Sequence, residues 1–267
     1  MRRVLITGAA GAIGSALRAG LRGVYPLLRL ADIRPLAAPT PREECVTADL
    51  CDFTAVASMM DRIDCVVHLG GVPREGPWDA ILDNNIIGTY NVFEAARQCG
   101  VKRVVFASSN HVIGYYRAGK TLGTEEPPRP DSRYGVSKVF GEALGRLYAD
   151  KHGLSVACLR IGSFRERPQN ARQLATWISP RDMVQLARCC IDAPDYRFLV
   201  LYGVSGNSRS RWRNPAARLI GYQPQDDAET YASGFTVPPA DGTDPAVEFH
   251  GGEFCALEFE NKINGVD

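Results

Sequence analysis

The run Arg3-Val4-Leu5-Ile6-Thr7 passes without a break into Gly8-Ala9-Ala10-Gly11-Ala12-Ile13-Gly14, and Ile13-Gly14-Ser15-Ala16-Leu17 then opens a helical pattern. A buried parallel strand, a glycine turn and a helix in immediate succession point to an α/β fold. In such a unit the backbone N–H groups of the turn and the positive end of the helix dipole converge on one point, where a pyrophosphate fits. Glycine is needed there because a Cβ would hold the phosphates away. With 26 glycines in the chain the spacing alone is a weak signal, and the flanking strand and helix give it weight. The plainer alternative is a strand-to-helix turn with no ligand.

A second strand, Leu27-Leu28-Arg29-Leu30-Ala31, ends at Asp32, 18 residues beyond Gly14, where an acid meets the hydroxyls of an adenosine ribose. Asp32 favours NAD, since its carboxylate repels a 2′-phosphate; Arg34, two residues on, partly offsets that charge and leaves NADP open. Asp32 read locally only starts the turn into Arg34-Pro35. Asp49-Leu50 follows a third short strand, Cys45-Val46-Thr47, within reach of an adenine, while Asp52 suits the cap of a helix at Phe53.

Further strand-like runs at Cys65–Leu69, Arg103–Ala107, Val156–Ile161 and Phe198–Tyr202 alternate with helical patterns over about 79–98, 133–152 and 181–192. That alternation predicts a doubly wound parallel sheet. Ser179, Pro180 and Asp182 supply a cap, a first-turn proline and an acid to the last of these helices. Beyond residue 205 the pattern turns irregular, with Pro238-Pro239 and Gly251-Gly252. The expectation is one domain over 1–267, a core over about 1–205 and a C-terminal segment, about 206–267, wrapping the substrate side.

Hydrophobic residues make up 45% of the chain, ample for a packed core, and the formal net charge is +1 with both signs mixed along it. No basic footprint for nucleic acid or an anionic membrane results. No apolar run approaches a membrane span, and a first strand at residue 3 leaves no room for a signal peptide, so a cytoplasmic protein is expected. The eight cysteines lack C-x-x-C spacing and fall among core-like segments, which reads as buried free thiols. None of the four histidines is paired at ligand spacing with another His or Cys, and no metal is expected.

Tyr134 and Lys138 stand four apart near a helix start, on one face. A phenol has a pKa of about 10, and a cation beside it favours phenolate, a usable base for an alcohol proton. Ser109, after the strand ending at Ala107, falls at the carboxyl edge of the sheet, where its hydroxyl can orient a substrate oxygen; Ser108 reads as part of the strand-end turn. His111 either donates to a sugar hydroxyl or packs beneath Tyr115 and Tyr116, and His68 reads as a satisfied core histidine.

In order along the chain, Thr7–Gly14, Asp49-Leu50, Asn85-Ile86-Ile87-Gly88-Thr89-Tyr90-Asn91-Val92 and Tyr134-x-x-x-Lys138 resemble the extended short-chain dehydrogenase/reductase family over roughly residues 2–205. The resemblance implies a Rossmann fold and a catalytic set of Ser109, Tyr134 and Lys138, with Asn85 steadying the central helix and the proton path. NAD would lie along Gly8, Gly11, Ala12, Ile13, Gly14, Asp32, Ile33, Asp49, Leu50, Leu69, Gly70, Gly71, Asn85, Tyr134 and Lys138. Within that family, Phe106–Tyr116, Arg160-Ile161-Gly162-Ser163 and Thr176-Trp177 are similar to the uronate dehydrogenases, a likeness that extends across nearly the whole chain. Those enzymes oxidise C1 of D-glucuronate or D-galacturonate with NAD to an aldarolactone. The likeness implies that Pro73, Ser109, Asn110, His111, Tyr134, Ser163 and Arg172 surround a uronic acid, Arg172 gripping its carboxylate with a planar fork. It also implies a homo-oligomer. From the residues alone, Arg165, Arg167 and Arg181 compete with Arg172 for that task.

The chain departs from the pattern at three places. Gly70-Gly71-Val72-Pro73, followed by Arg74 and Glu75, replaces a loop that often has serine after Gly-Gly; Ala12 stands where some relatives carry glutamine; and Arg211-Trp212-Arg213-Asn214 replaces two tryptophans and an acid. These bear on substrate preference and affinity more than on reaction type. Two other readings are a nucleotide-sugar epimerase or dehydratase of the same fold and a non-catalytic NAD-sensing protein. The first is disfavoured by Arg160-Ile161-Gly162-Ser163-Phe164, which stands in place of an Asn-x-Tyr-Gly-Pro-like stretch, and the second by the intact Ser109, Tyr134 and Lys138 set.

Overall fold

The computed structural model describes residues 2–236 and 240–263, so Pro238-Pro239 lie outside the described residues. In chain order the elements are β1 (Arg3–Thr7), α1 (Ala12–Leu21), β2 (Leu27–Asp32), β3 (Glu43–Thr47), α2 (Phe53–Ser58), β4 (Cys65–His68), α3 (Trp78–Ile81), α4 (Gly88–Gln98), β5 (Arg103–Ser109), α5 (Arg133–His152), β6 (Ser155–Ile161), β7 (Ser163–Phe164), α6 (Gln173–Thr176), β8 (Trp177–Ile178), α7 (Pro180–Asp192) and β9 (Phe198–Gly203). Seven strands form one sheet in the order β3-β2-β1-β4-β5-β6-β9, every pair parallel, and β7 and β8 form a separate short ladder. This is the expected doubly wound α/β architecture. Strand order reverses direction between β1 and β4, the crevice where ligands bind in such sheets.

Side chains of each strand alternate between two cores. Val4 and Ile6 of β1 join Leu17, Leu21, Met183 and Leu186 on one face, while Leu5 joins Val56, Val92, Phe93 and Leu144 on the other. A parallel strand buried on both faces therefore reads as a continuous apolar run, which is why β1, β4, β5 and β6 stand out in the sequence. Helix ends follow local chemistry. The Ser132 hydroxyl accepts from Gly135 N at 3.0 Å to start α5, and Ser179 accepts from Asp182 N at 3.0 Å to start α7, with Pro180 in the first turn. At the other end of α7, buried Arg103 donates through Nη1 to the carbonyls of Cys190, Ile191 and Ala193, satisfying groups the helix leaves unpaired.

One departure from the sequence pattern bears on function. The helix expected over 79–98 is interrupted by a π-helical turn, Leu82–Ile87, between α3 and α4. Asn85 lies in that turn, buried, with Oδ1 accepting from Val72 N at 2.7 Å and Nδ2 donating to Val72 O at 3.0 Å and Ser137 Oγ at 3.1 Å. Ser137 in turn donates to Tyr134 O at 2.6 Å, so the turn braces α5 against the loop after β4.

The C-terminal segment divides in two. Ala217, Ile220 and Tyr222 pack into the core beneath α1 and α7, and fully buried Asp182 accepts from Gln225 N at 2.8 Å and Asp226 N at 3.1 Å. Arg211–Arg213 pair with Leu122 beyond β5, and the later part, with α8 (Pro245–Glu248) and α9 (Glu253–Ala256), reaches the loop directly after β5, where Gly251 N donates to Gly114 O at 2.9 Å. All eight cysteines are free; Cys51 and Cys99 are exposed and Cys45 and Cys189 half-buried, so the expected burial holds for Cys65, Cys158, Cys190 and Cys255. No helix among the described residues is long and apolar enough to cross a membrane.

Candidate active site

The glycine loop bends back at Gly8 (φ 69°), and a Cβ there would approach Gly70 N to 2.7 Å, so Gly8 lets β1 and β4 deliver their loops side by side. A Cβ on Gly14 would collide with the Ala9 backbone, at 2.6 Å from its Cα; glycine thus lets α1 pack directly on the turn. Helix α1 begins without the side-chain cap that α2, α5 and α7 have, and its first turn carries no acid. Its terminal N–H groups and dipole therefore lack an anion from the chain, which suits a pyrophosphate.

Asp32 closes the same crevice. Its Oδ2 accepts from Ala10 N at 2.9 Å and its Oδ1 from Arg34 N at 2.9 Å, with Arg34 Nε at 3.4 Å. The carboxylate is thus tied to the glycine loop, and the local turn and the ribose position are one arrangement. Exposed Ala12, Ile33 and Asp49, with half-buried Gly11, Ile13, Leu50, Leu69 and Gly70 and exposed Gly71, follow the carboxyl ends of β1 to β4. Asp49 accepts from Cys51 N at 2.9 Å, and Asp52 caps α2 through Thr54 N and Ala55 N. His68 is buried with Nδ1 paired to the Thr7 hydroxyl at 2.8 Å and Nε2 to the Thr89 hydroxyl at 3.3 Å, a satisfied core histidine whose pKa burial lowers to about 3.

Ser109 ends β5, and its hydroxyl, which accepts from His111 N at 3.2 Å, stands near enough to the phenol of Tyr134 in the first turn of α5 to favour its ionised form. Lys138 sits one turn later, with Nζ 5.4 Å from the Tyr134 ring centroid and 5.1 Å from that of Phe106. All three are buried. Burial raises Tyr134 to about 12 against the lowering effect of Ser109, and burial lowers Lys138 to about 8. The protein by itself thus does not depress the phenol as the Tyr–Lys spacing suggests; the ammonium lies over the ring rather than at the hydroxyl. Ser108 is more than a turn residue. Its hydroxyl donates to Glu142 Oε1 at 2.6 Å, and Glu142 forms a buried fork with Arg160 at 2.8 and 2.9 Å, locking β5, β6 and α5 together behind the reacting groups.

With its amide turned so that oxygen meets donor and nitrogen meets acceptor, Asn110 donates to Ile161 O at 3.1 Å and accepts from Arg172 Nη2 at 2.9 Å. Arg172 also donates through Nε (3.0 Å) and Nη2 (2.6 Å) to His250 O, so one edge of its fork is consumed by the C-terminal segment and the Nη1 end remains. Burial of the guanidinium lowers its pKa, and it makes no ion pair among the described residues. His250 is held by Trp212 Nε1, which donates to Nδ1 at 3.2 Å, while Nε2 faces Lys120 O at 2.9 Å. The His111 ring does not pack beneath Tyr115 and Tyr116. It stacks on Phe254 of α9 (centroids 3.9 Å, 18°) and meets Tyr134 edge-on at 5.8 Å. Ser163 faces Thr176, hydroxyl to hydroxyl at 3.1 Å, and Pro73 is exposed after β4; no hydrogen bond joins either to Asn110, His111 or Arg172.

The profile for the NAD dependent epimerase/dehydratase family matches residues 4–193. The chain belongs to that family. Over 95% of its length and 97% of the relative's it is 47% identical to a uronate dehydrogenase of Agrobacterium fabrum. It superposes on the crystal structure of a glucuronic acid dehydrogenase from Chromohalobacter salexigens with a TM-score of 0.92, at 43% identity and 98% coverage of both chains. The uronate dehydrogenase of Agrobacterium tumefaciens, solved as a Tyr-to-Ala mutant complexed with NAD, is 46% identical, with a TM-score of 0.90 over 96% of this chain and 97% of that one.

Sequence reasoning missed four residues of the chamber. Asp131, buried, accepts from His111 Nδ1; Glu75 accepts from Tyr134 N at 2.9 Å and pairs with Arg133 at 2.6 Å; Phe254 and His250 come from the far end of the chain. Asp131 directly before the capping Ser132, and Phe254 two residues after Gly251-Gly252, were the available signals.

Proposed function

We propose that the chain is an NAD-dependent uronate dehydrogenase, oxidising C1 of D-glucuronate or D-galacturonate to the aldarolactone. The observation that carries this reading is Arg172: a cation shielded from water, without an ion-pair partner among the described residues, in the same chamber as Tyr134. A desolvated charge of this kind is stabilised by an anion brought by the ligand, and a hexuronate carries one carboxylate, five carbons from its oxidisable C1. Full-length similarity to uronate dehydrogenases supports the same substrate class.

NAD would be held by the α1 N-terminus and Gly8–Gly14 loop, with Asp32 at the ribose, and supplies the hydride acceptor when bound. The chain does the rest. Ser109, beside Tyr134, orients the C1 hydroxyl; Tyr134 takes the hydroxyl proton; Lys138 keeps a positive charge beside the phenol as it ionises. Asn110 and His250 aim the free Nη1 end of Arg172 at the substrate carboxylate. Core and C-terminal segment serve this one site, so residues 1–267 are read as one domain. Eight free cysteines suit a reducing compartment, and the enzyme is assigned to the cytoplasm as a homo-oligomer.

The test is NADH formation on mixing purified protein with NAD and, separately, D-glucuronate, D-galacturonate and the matching neutral sugars, with NADP in parallel. Turnover confined to the acids is expected. Equal turnover of the neutral sugars would remove Arg172 from its role, and activity only on nucleotide-sugars would replace the reading with an epimerase or dehydratase.

A further inference from the structure

Asp131 has no part in binding or proton transfer as described so far, yet it is the most tightly enclosed carboxylate beside the reacting groups. Its side chain is fully buried. A Cβ on either Gly114 or Gly251 would overlap its Oδ2, so two backbone segments, one after β5 and one in the C-terminal tail, close directly on it. Oδ2 receives His111 Nδ1 at 2.7 Å and, more distantly, the Cys255 thiol at 3.8 Å; Oδ1 accepts from the Ser132 hydroxyl at 2.8 Å. A carboxylate only accepts, so the hydrogen of neutral His111 resides on Nδ1 and Nε2 is an acceptor. Nε2 has no hydrogen bond among the described residues and is not fully buried, and the ring lies edge-on to Tyr134.

The chamber therefore has opposite poles. Arg172 offers only donors; His111 Nε2, backed by the Asp131 charge, offers only an acceptor. We propose that Asp131 is a positioning residue that makes the reacting end of the chamber an acceptor subsite, which takes a substrate hydroxyl and refuses a second carboxylate. The consequence rests on the uronate reading. A uronate enters with its carboxylate at Arg172 and its hydroxyls toward Tyr134 and His111, whereas an aldarate, the hydrolysed product, carries a carboxylate at both ends and is repelled at one of them.

Asp131→Asn tests this with little change of shape. Ser132, the stronger donor, keeps the amide oxygen at the Oδ1 position and turns the NH₂ toward His111, which then accepts at Nδ1 and carries its hydrogen on Nε2. Two readouts follow. Nitrogen-15 spectra of histidine-labelled protein, with four histidines to assign, should place the His111 hydrogen on Nδ1 in the parent and on Nε2 in the variant. With NAD saturating, the ratio of the D-glucarate inhibition constant to the D-glucuronate KM should fall about tenfold or more in the variant, the scale of one charge-assisted hydrogen bond gained. A general loosening of the site would raise both constants together and leave the ratio alone.

A parent His111 with its hydrogen on Nε2, or an unmoved ratio in folded Asp131→Asn protein, overturns the proposal. Should that variant not fold, His111→Gln, whose amide can donate at the same place, is expected to lower the ratio in the same sense, and no change there overturns it equally. If the parent oxidises no uronate, the substrate reading fails at that step, while the histidine spectra still decide whether Asp131 sets the tautomer.

Discussion

The dinucleotide crevice takes its walls from the ends of β1, β2, β3 and β4, each joined to the next by a short stretch of chain, whereas the sugar chamber is assembled from β5, α5, α6 and a tail more than a hundred residues beyond β5. In the crevice, backbone does the shaping: Gly8 and Gly14 are glycine because a Cβ would strike backbone, that of Leu69-Gly70 for the first and of Gly8-Ala9 for the second. In the chamber, side chains do it: Asn110, Arg172, His250, Asp131 and Phe254 hold one another in place. A crevice made of backbone suits an unvarying ligand such as a dinucleotide. A chamber made of distant side chains can be retuned one residue at a time.

The sharpest way to break that division is at Tyr134, which faces both halves. Tyr134→Phe should lower turnover about 10²- to 10⁴-fold, the usual worth of a positioned base, while NAD affinity measured by fluorescence titration stays within a factor of two or so. In the parent, the base form of Tyr134 grows as pH rises toward its pKa of about 12, so turnover should climb through neutral pH and bend near the Lys138 value of about 8 as that cation is lost. A flat profile from pH 6 to 9 would deny Tyr134 the role of base.

Next in size is the ion pair behind the chamber. Glu142→Ala leaves the Arg160 guanidinium buried without its carboxylate and frees Ser108, and breaking such a pair costs about 3–5 kcal/mol. Urea denaturation should register that loss. Replacement of both partners by apolar residues of similar volume should recover most of it, and an unshifted Glu142→Ala midpoint would mean the pair is solvated.

Arg172→Ala should raise the KM for uronate about 10- to 100-fold, the scale of a lost charge-assisted contact, with a smaller effect on turnover and none on NAD affinity. Arg172→Lys keeps the charge but loses the Nε and Nη2 bonds to His250 O, so an intermediate KM is expected. If Arg172→Ala shifts NAD affinity as much as uronate KM, crevice and chamber are not separable.

How much of each half could be read from the chain follows from the same contrast. β1, its glycine turn, the apolar strands, and the Asp52 and Ser179 caps are local patterns, and the structure returns them within a residue or two. The π-turn at Leu82–Ile87 was not legible, because Asn84-Asn85 in an otherwise helical stretch carries no periodicity of its own. Arg172 was distinguishable from Arg165, Arg167 and Arg181 only by resemblance, since what sets it apart is the carbonyl of His250, 78 residues away. Arg181, by contrast, pairs with Asp226 at the surface. The Tyr134–Lys138 spacing was visible, but the burial that drives their pKa values apart was not.

The smallest expected effect separates the halves by acid. Each contains one buried neutral histidine: His68 behind the crevice, with a pKa lowered to about 3, and His250 in the chamber wall, lowered to about 4, burial being the main cause in both. Unfolded histidine titrates near 6.5, so below that pH the unfolded chain binds protons that the folded one refuses, and stability falls as pH falls. Each histidine contributes a slope of at most about 1.4 kcal/mol per pH unit, beginning near pH 6.5 and ending only as its folded pKa is passed. If crevice and chamber unfold together, urea titrations between pH 6 and 5 should carry both slopes. If the C-terminal wall opens by itself, limited proteolysis of the tail should carry the slope of His250 alone, and His250→Gln should flatten it while leaving the His68 contribution to global unfolding in place. The absence of any such slope across this interval would mean that neither histidine is held neutral, and the contrast between a backbone-built crevice and a side-chain-built chamber would lose its acid signature.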